Sequence, residues 1–143
     1  MAVHYERDAY SWALEQAGFL RAGKLEQLDL EHLAEEIESM GKTERRLLVS
    51  QLVRLLMHLL KWDHQPEQRS RSWRLTIIDA QAKTTRLLND NPSLKALLPE
   101  LMNETYGDAR RAAAIETDNE LHAFPEQCMY GFDEAVTFQP VEH

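Results

Sequence analysis

The sequence is poor in residues that cross-link or interrupt a fold. Its one cysteine, Cys128, cannot form a disulfide within the chain, and a lone thiol is typical of a reducing cytoplasm. Five glycines and five prolines in 143 residues leave little material for long loops. There is no apolar run of about 18 residues, which argues against a membrane-spanning helix, and the first ten residues lack the apolar stretch of a secretory signal. We therefore expect a cytoplasmic protein with one domain over residues 1–143.

The charge is negative overall but unevenly distributed. Residues 42–86 contain ten Lys or Arg and four acids, a net charge of +6, whereas the whole chain has a net charge of −8. The remaining residues therefore carry −14. Because the overall field repels phosphate, we do not expect nucleic acid to be the partner. The basic segment is expected to neutralise the acidic residues that flank it.

Apolar residues recur at helical spacing through most of the chain and predict an all-α fold. Asp8 and Asp29 are suitable caps for the first two helices. The second and third helices either separate at Gly41 or run together through it. We expect a bundle of four to five main helices, mostly up-and-down, with an irregular tail over residues 118–143 packed on it. The predicted helices cover residues 9–22, 30–40, 44–62, 66–89 and 99–117. The expected core stripe of the second helix is Leu30, Leu33, Ala34, Ile37 and Met40. That of the third helix is Leu48, Leu52, Leu55, Leu56 and Leu59.

Two large aromatic residues, Trp12 and Phe19, lie outside the apolar stripe of the first predicted helix. Because they are seven residues apart, they share one side of that helix. An outer face with two large aromatics forms a patch that soluble monomers usually avoid. We expect the tail to cover it, and a homodimer through Trp12 and Phe19 is the alternative. The apolar stripe itself consists of Tyr10, Ala13, Leu14, Ala17 and Leu20.

The segment DLEHLAEEIESMG, residues 29–41, has the densest set of acidic residues. On a helical wheel, Glu31, Glu35 and Glu38 form one face beside the apolar stripe of the second helix. That face is expected to be solvated or paired with arginines of residues 42–86. The four glutamates of the segment do not converge, and the chain has no HExxH, CxxC or Gly-rich phosphate loop.

A metal site is the alternative function at this segment. Glu36 borders the apolar stripe and lies four residues from His32. If the second and third helices pack antiparallel, Glu36, His32 and His58 meet at one edge of the bundle. Carboxylate and imidazole groups suit zinc or a similar divalent ion, so a metal- or small-ligand-binding bundle is our second interpretation.

Residues 55–73, LLMHLLKWDHQPEQRSRSW, combine arginines with tryptophans. Arg69 precedes Trp73 by one helical turn and is expected to stack on its ring. Such a patch suits single-stranded nucleic acid, and it equally suits pairing with carboxylates. A nucleic-acid-associated protein with a local basic face is therefore the third interpretation. The candidate patch consists of Arg69, Arg71, Arg74, Trp62 and Trp73.

Nucleophilic catalysis has little support in the sequence. Cys128 has no basic neighbour that would lower its pKa, and Ser70 and Ser72 have no general base fixed by the sequence. We expect no catalytic residues and no resident cofactor.

Four phrases in fixed order resemble a known family. LDLEHLAEEIESMG, LLMHLLKW, QPEQRSRSW and FPEQC are together similar to the bacterial domain-of-unknown-function family twenty-nine, from about Tyr5 to Val136. The resemblance implies an all-α fold and brings no catalytic residues with it. We therefore interpret the chain as a protein-interaction module that acts through contacts with a protein partner.

Overall fold

The computed structural model describes residues 3–141, and every regular element in that range is helical. The predicted all-α fold is confirmed. No helix within residues 3–141 combines the length and the apolar character needed to cross a lipid bilayer. Short 3₁₀ helices connect the α-helices at Leu25–Gln27, Pro66–Gln68, Pro92–Leu97 and Leu121–Ala123. The α-helices are α1 (Ala9–Ala22), α2 (Leu30–His64), α3 (Arg71–Asp90), α4 (Leu98–Glu116) and α5 (Phe132–Thr137).

The second and third predicted helices are one helix, α2, of 35 residues. Gly41 lies inside it, because a glycine costs only about 1 kcal/mol relative to alanine in a helix interior. The predicted break at Gly41 is wrong, and the alternative of a continuous helix is confirmed. Thr43 also lies inside α2, where its hydroxyl donates to the carbonyl of Ser39 (2.8 Å).

The chain forms two compact units, one ending at Thr43 and the other starting at Glu44. In the first unit, Asp8 caps α1 by accepting a hydrogen bond from the backbone N–H of Ser11 (3.0 Å). The helix ends at Gly23, whose φ of +72° is the left-handed conformation that glycine adopts without strain. The expectation of one domain over residues 1–143 stays a prediction.

The buried face of α1 is the opposite of the predicted one. Trp12 and Gln16 are buried, whereas Tyr10 is 76% exposed. Two hydrogen bonds explain this orientation. The indole N–H of Trp12 donates to Asp29 Oδ2 (3.0 Å), and Gln16 Oε1 accepts from the backbone N–H of Asp29 (2.7 Å). Because both side chains need these partners at the start of α2, they turn inward. Trp12 is covered by Tyr5 and Asp29 of its own unit, so the prediction that it lies on an outer face is wrong. Cover of Phe19 by the tail and the homodimer stay predictions.

In the second unit, α3 runs antiparallel to the later part of α2. Residues that come earlier in α2 pair with residues that come later in or after α3. Asn91 donates to Glu44 (3.2 Å) at one end, and Arg54 forms an ion pair with Asp79 (2.7 Å) nearer the other. The predicted leucine stripe of α2 is at the centre of the core and is confirmed. Its members are Leu48, Leu52, Leu55, Leu56 and Leu59.

Helix α4 runs parallel to the same part of α2, which gives an up-down-up arrangement in the second unit. Arg45 pairs with Glu104 (3.4 Å) and Lys61 with Glu116 (2.7 Å), in the same order along both helices. Most of the inward side chains of α4 are small or aromatic, so the helix packs closely on the leucines of α2.

The C-terminal tail is packed on this unit, as predicted. Phe124 is buried in the core, and its carbonyl accepts two hydrogen bonds from Arg110 (3.2 and 3.0 Å). Further along, the amide of Gln81 on α3 donates to the carbonyls of Ala135 (3.0 Å) and Phe138 (2.7 Å). These tail carbonyls accept hydrogen bonds from side chains of α3 and α4. The tail is therefore held in place by side-chain donors of the helices.

Candidate functional site

The first unit contains a cluster of aromatic, acidic and imidazole groups around Tyr5. The Tyr5 ring stacks on His32 (centroids 4.2 Å apart, 19° between planes) and meets Trp12 edge-on (4.7 Å). Its hydroxyl donates to Glu36, and His32 Nδ1 lies 2.7 Å from Asp29 Oδ2. Helices α1 and α2 are thus joined by polar groups at their packed edge.

The structure brings together two of the three predicted metal ligands. His32 and Glu36 both contact Tyr5, and each has a protein hydrogen-bond partner. His58 belongs to the second unit, where its Nδ1–H donates to the carbonyl of Arg54 (2.9 Å), and burial lowers its pKa. Within residues 3–141, no group of three or more His, Cys, Asp or Glu side chains is arranged to hold a metal ion. The antiparallel packing on which this site was predicted is not found, because both segments belong to the continuous helix α2. The binding of a metal itself stays a prediction.

The Asp29–His32 hydrogen bond shifts the pKa of both groups in the directions of an ion pair. It raises the pKa of His32 above 6.5 and lowers the pKa of Asp29 below 3.8. The stabilisation from His32 is complete below its ordinary pKa and is lost as the pH rises through the raised value. The stabilisation from Asp29 is present above its ordinary pKa and is lost as the pH falls through the lowered value. The pair therefore stabilises the first unit most in the window between the two ordinary pKa values.

We expect Asp29→Asn to lower the pKa of His32 towards 6.5, because the carboxylate that favours the imidazolium is removed. Aspartate accepts from Trp12 and from the backbone N–H of His32 through separate oxygens, and asparagine keeps one of these two acceptors. An NMR titration of the histidine ring resonances measures the change. Glu26→Gln, an exposed change in the same unit, is the control and should leave the pKa of His32 in place. An unchanged titration in Asp29→Asn contradicts the assignment.

An apolar groove of about 280 Å³ lies between α1 and the start of α2. Ile37 is 66% exposed, and Met40 and Leu20 are exposed as well. Ile37 and Met40, which the sequence predicts to be core residues, therefore line an open groove. We name this surface the α1–α2 groove; its walls are Ala13, Ala17, Leu20, Leu33, Ile37 and Met40.

The acidic face borders the exposed apolar stripe of α2, as the helical wheel predicts. Glu31, Glu35 and Glu38 are exposed, and none forms an ion pair within residues 3–43. Their pairing with arginines of residues 42–86 stays a prediction. Residues 3–43 contain nine acids and four Lys or Arg, a net charge of −5. The apolar groove is thus set in a strongly acidic unit.

The tryptophans of the basic and aromatic patch contact cationic side chains of the second unit itself. The Arg69 guanidinium lies 5.1 Å from the Trp62 ring centroid, and its Nε donates to the Trp62 carbonyl (2.9 Å). The predicted stacking of Arg69 on Trp73 is wrong: α3 starts only after Ser70, so Arg69 lies in the turn beside the end of α2. The cation over Trp73 is Lys61, at 4.8 Å.

The other two arginines of the patch differ in exposure. Arg71 is exposed, whereas Arg74 is half-buried and its Nε has no hydrogen-bond partner among residues 3–141. Trp62 is buried and cannot stack on a nucleobase without rearrangement. The interpretation as a nucleic-acid surface stays a prediction.

A second cavity, of about 360 Å³, lies between the end of α2, α4 and the tail. Sequence periodicity does not indicate this cavity, because half of its lining residues lie in the irregular tail. The sequence hint of a site here is that the segments KWDHQ, with Trp62, and FPEQC, with Phe124, both place polar residues beside a large aromatic side chain. We name it the tail cavity; it is lined by Asp63, His64, Tyr106, Met129, Tyr130 and Glu134, with Leu60 and Pro125 behind them.

The hydroxyl and thiol groups near the tail cavity all donate to protein acceptors. Tyr130 donates to Asp63 Oδ2 (2.5 Å), Tyr106 to the carbonyl of Pro125 (2.5 Å), and Cys128 to the carbonyl of Tyr130 (3.4 Å). Burial raises the pKa of Tyr130, Tyr106 and Cys128. A phenolate or thiolate nucleophile is therefore not favoured at neutral pH, and the geometry suits binding better than nucleophilic catalysis.

The family model described as Domain of unknown function DUF29 matches residues 4–139. The chain belongs to this family. The DUF29 match includes every residue that lines the α1–α2 groove and the tail cavity, and it confirms the resemblance that the four sequence phrases indicate. No curated protein and no solved structure matches the chain.

Proposed function

We propose that this protein is a protein-interaction module and that the α1–α2 groove is its docking surface. The observation that carries the proposal is the exposure of apolar side chains on both helices of the first unit. Leu20 of α1 and Ile37 and Met40 of α2 line the groove, and each is more than half exposed. Contiguous apolar surface of this kind marks a site of protein contact more often than it marks chance exposure.

The groove has the shape that accepts one further helix. Trp12 pairs with Asp29 and Tyr5 with Glu36, so α1 and the start of α2 are antiparallel. In helix-in-groove recognition, an amphipathic helix binds with its apolar face in a hydrophobic groove of this kind. On α1 the groove wall contains Ala13 and Ala17, whose small side chains allow a partner helix to approach closely.

Charge decides between two possible occupants of the groove. A second copy of the chain would bring a unit of net charge −5 against another of −5, and like charges at an interface oppose association. An amphipathic helix with lysines or arginines beside its apolar face would instead meet Glu31, Glu35 and Glu38 with opposite charge. We therefore commit to a basic amphipathic helix of a partner protein as the occupant.

We expect a synthetic helical peptide with leucines at i, i+3, i+4 and i+7 and lysines elsewhere to bind the purified protein. Ile37→Asp should weaken that binding about tenfold or more, because it places a charge in the apolar wall (tenfold corresponds to about 1.4 kcal/mol). Isothermal titration calorimetry measures the dissociation constant. Ile115→Asp is the matched control, since Ile115 is 79% exposed and lies in the second unit.

Two comparison peptides separate this docking mode from others. A scrambled peptide of the same composition should bind weakly, because its leucines no longer share one face. A peptide with glutamate in place of lysine should also bind weakly, because of the acidic face. Equal binding of the three peptides, or equal weakening by Ile37→Asp and Ile115→Asp, contradicts the proposal. So does a homodimer in analytical ultracentrifugation that dissociates in Ile37→Asp, since it would make a second copy the occupant.

A further inference from the structure

We propose that the tail cavity of the second unit binds a small organic cation, of the alkylammonium class. The inference goes beyond the docking function and does not depend on it, because the cavity is built from residues of the second unit alone. Its volume of about 360 Å³ is at the lower end of the range for small-molecule sites, about 300–1,000 Å³.

Two exposed carboxylates, Asp63 and Glu134, line the cavity. Neither Asp63 nor Glu134 forms an ion pair with any group in residues 3–141. Asp63 accepts one hydrogen bond from Tyr130 through Oδ2, which fixes the carboxylate and leaves its other oxygen for a donor. A ligand with N–H donors and positive charge would complete this hydrogen bonding and offset the negative charge.

The aromatic walls favour the same class of ligand. The hydroxyls of Tyr106 and Tyr130 are both used within the protein, so these residues offer a ligand mainly their rings. The imidazole of His64 is held edge-on against Phe124 (centroids 5.6 Å apart, 80° between planes) and forms a third aromatic wall. The ring faces of aromatic side chains attract cations, and their apolar surface packs against an alkyl chain.

Other ligand classes fit the cavity less well. An anion would meet two carboxylates, with His64 as the only basic side chain in the lining. A metal ion would need converging ligands, and residues 3–141 contain no such group of three. An alkylammonium ion uses both the charge and the apolar rings, and it needs no rearrangement of the side chains that are already paired.

Putrescine, a four-carbon diammonium ion, is the probe for this site. Met129 lines the cavity and is exposed, so the ¹³C-methyl NMR signal of Met129 reports occupancy directly. We expect a saturable shift of this signal, with Met40 of the first unit unchanged. Asp63→Asn with Glu134→Gln should weaken putrescine binding at least about tenfold, because both charges are lost. Asparagine at position 63 can still accept the hydrogen bond from Tyr130 and preserve the fold.

The matched control is Glu120→Gln with Glu126→Gln, which removes two exposed charges of the same unit outside the cavity lining. It should change the affinity less than about twofold. Equal weakening in both double variants would show nonspecific attraction and overturn the proposal. So would an equal Met129 shift with 1,4-butanediol, which has the same length and no charge, or with Mg²⁺. Absence of a saturable shift up to about 10 mM putrescine would overturn it as well, because that limit excludes even millimolar affinity.

Discussion

Replacement of Phe124 by alanine is expected to lower the free energy of unfolding by about 3–5 kcal/mol. Phe124 is 1% exposed and anchors the tail in the core of the second unit, where it also contacts the His64 ring. The substitution removes the buried ring and leaves a cavity that the fixed helices around it fill only in part. Urea denaturation followed by circular dichroism measures the loss. Ile115→Ala, at a side chain that is 79% exposed, should stay within about 0.5 kcal/mol. Similar losses in both variants would mean that the tail is not packed as described.

Glu116→Gln is expected to lower the free energy of unfolding by about 1–3 kcal/mol, more than Lys61→Met does. Lys61 has a side chain that is only 6% exposed, with its ammonium 2.7 Å from Glu116 and over the Trp73 ring. Removing the carboxylate leaves a buried cation without its counter-ion. The expected loss is below that of a fully buried pair because Glu116 is half exposed.

Lys61→Met removes the buried charge and keeps an apolar side chain of similar length. Its effect should be within about 1 kcal/mol, since burial of a charge and its pairing nearly cancel. The same urea titration compares the two variants. If Lys61→Met is the more destabilising change, the ion pair is a net source of stability and the expected order is wrong.

Sequence patterns predicted the elements that depend on neighbours along the chain. The first helix was expected at residues 9–22 and is found at Ala9–Ala22, because Asp8 supplies a local cap. The leucine stripe of α2 was also predicted correctly, since helical spacing places those side chains on one face. Capping and periodicity act within a few residues, so one sequence is enough to read them.

The choice of the buried face of α1 depends on partners far along the chain. Its two faces are both apolar, and periodicity alone favoured the stripe with Leu14. In the structure the Trp12 face is buried, because Trp12 donates a hydrogen bond to Asp29 and Gln16 accepts one from the Asp29 backbone N–H. Burial of the large Trp12 ring removes much apolar surface from water, and Asp29 supplies the acceptor that the buried indole N–H needs.

The candidate sites were predictable only in part, for the same reason. His32 and Glu36 are close in sequence, and the structure brings them together through Tyr5, which the sequence did not suggest. The tail cavity depends on the pair Asp63–Tyr130, 67 residues apart, and on a tail without any period. Contacts of this kind follow from the packed fold and leave no local pattern to read.

The distribution of tryptophan has a spectroscopic consequence. The first unit contains one indole, Trp12, with a carboxylate on its N–H, whereas Trp62 and Trp73 of the second unit each have a cation over the ring. A chain with Trp62→Phe and Trp73→Phe retains a single indole fluorophore, in the first unit, and Trp12→Phe confines indole emission to the second. Coincident melting curves from the two emissions are the signature of one cooperative transition, and separate curves are the signature of two. The native tryptophans thus make the cooperativity between the two units a measurable property of this chain.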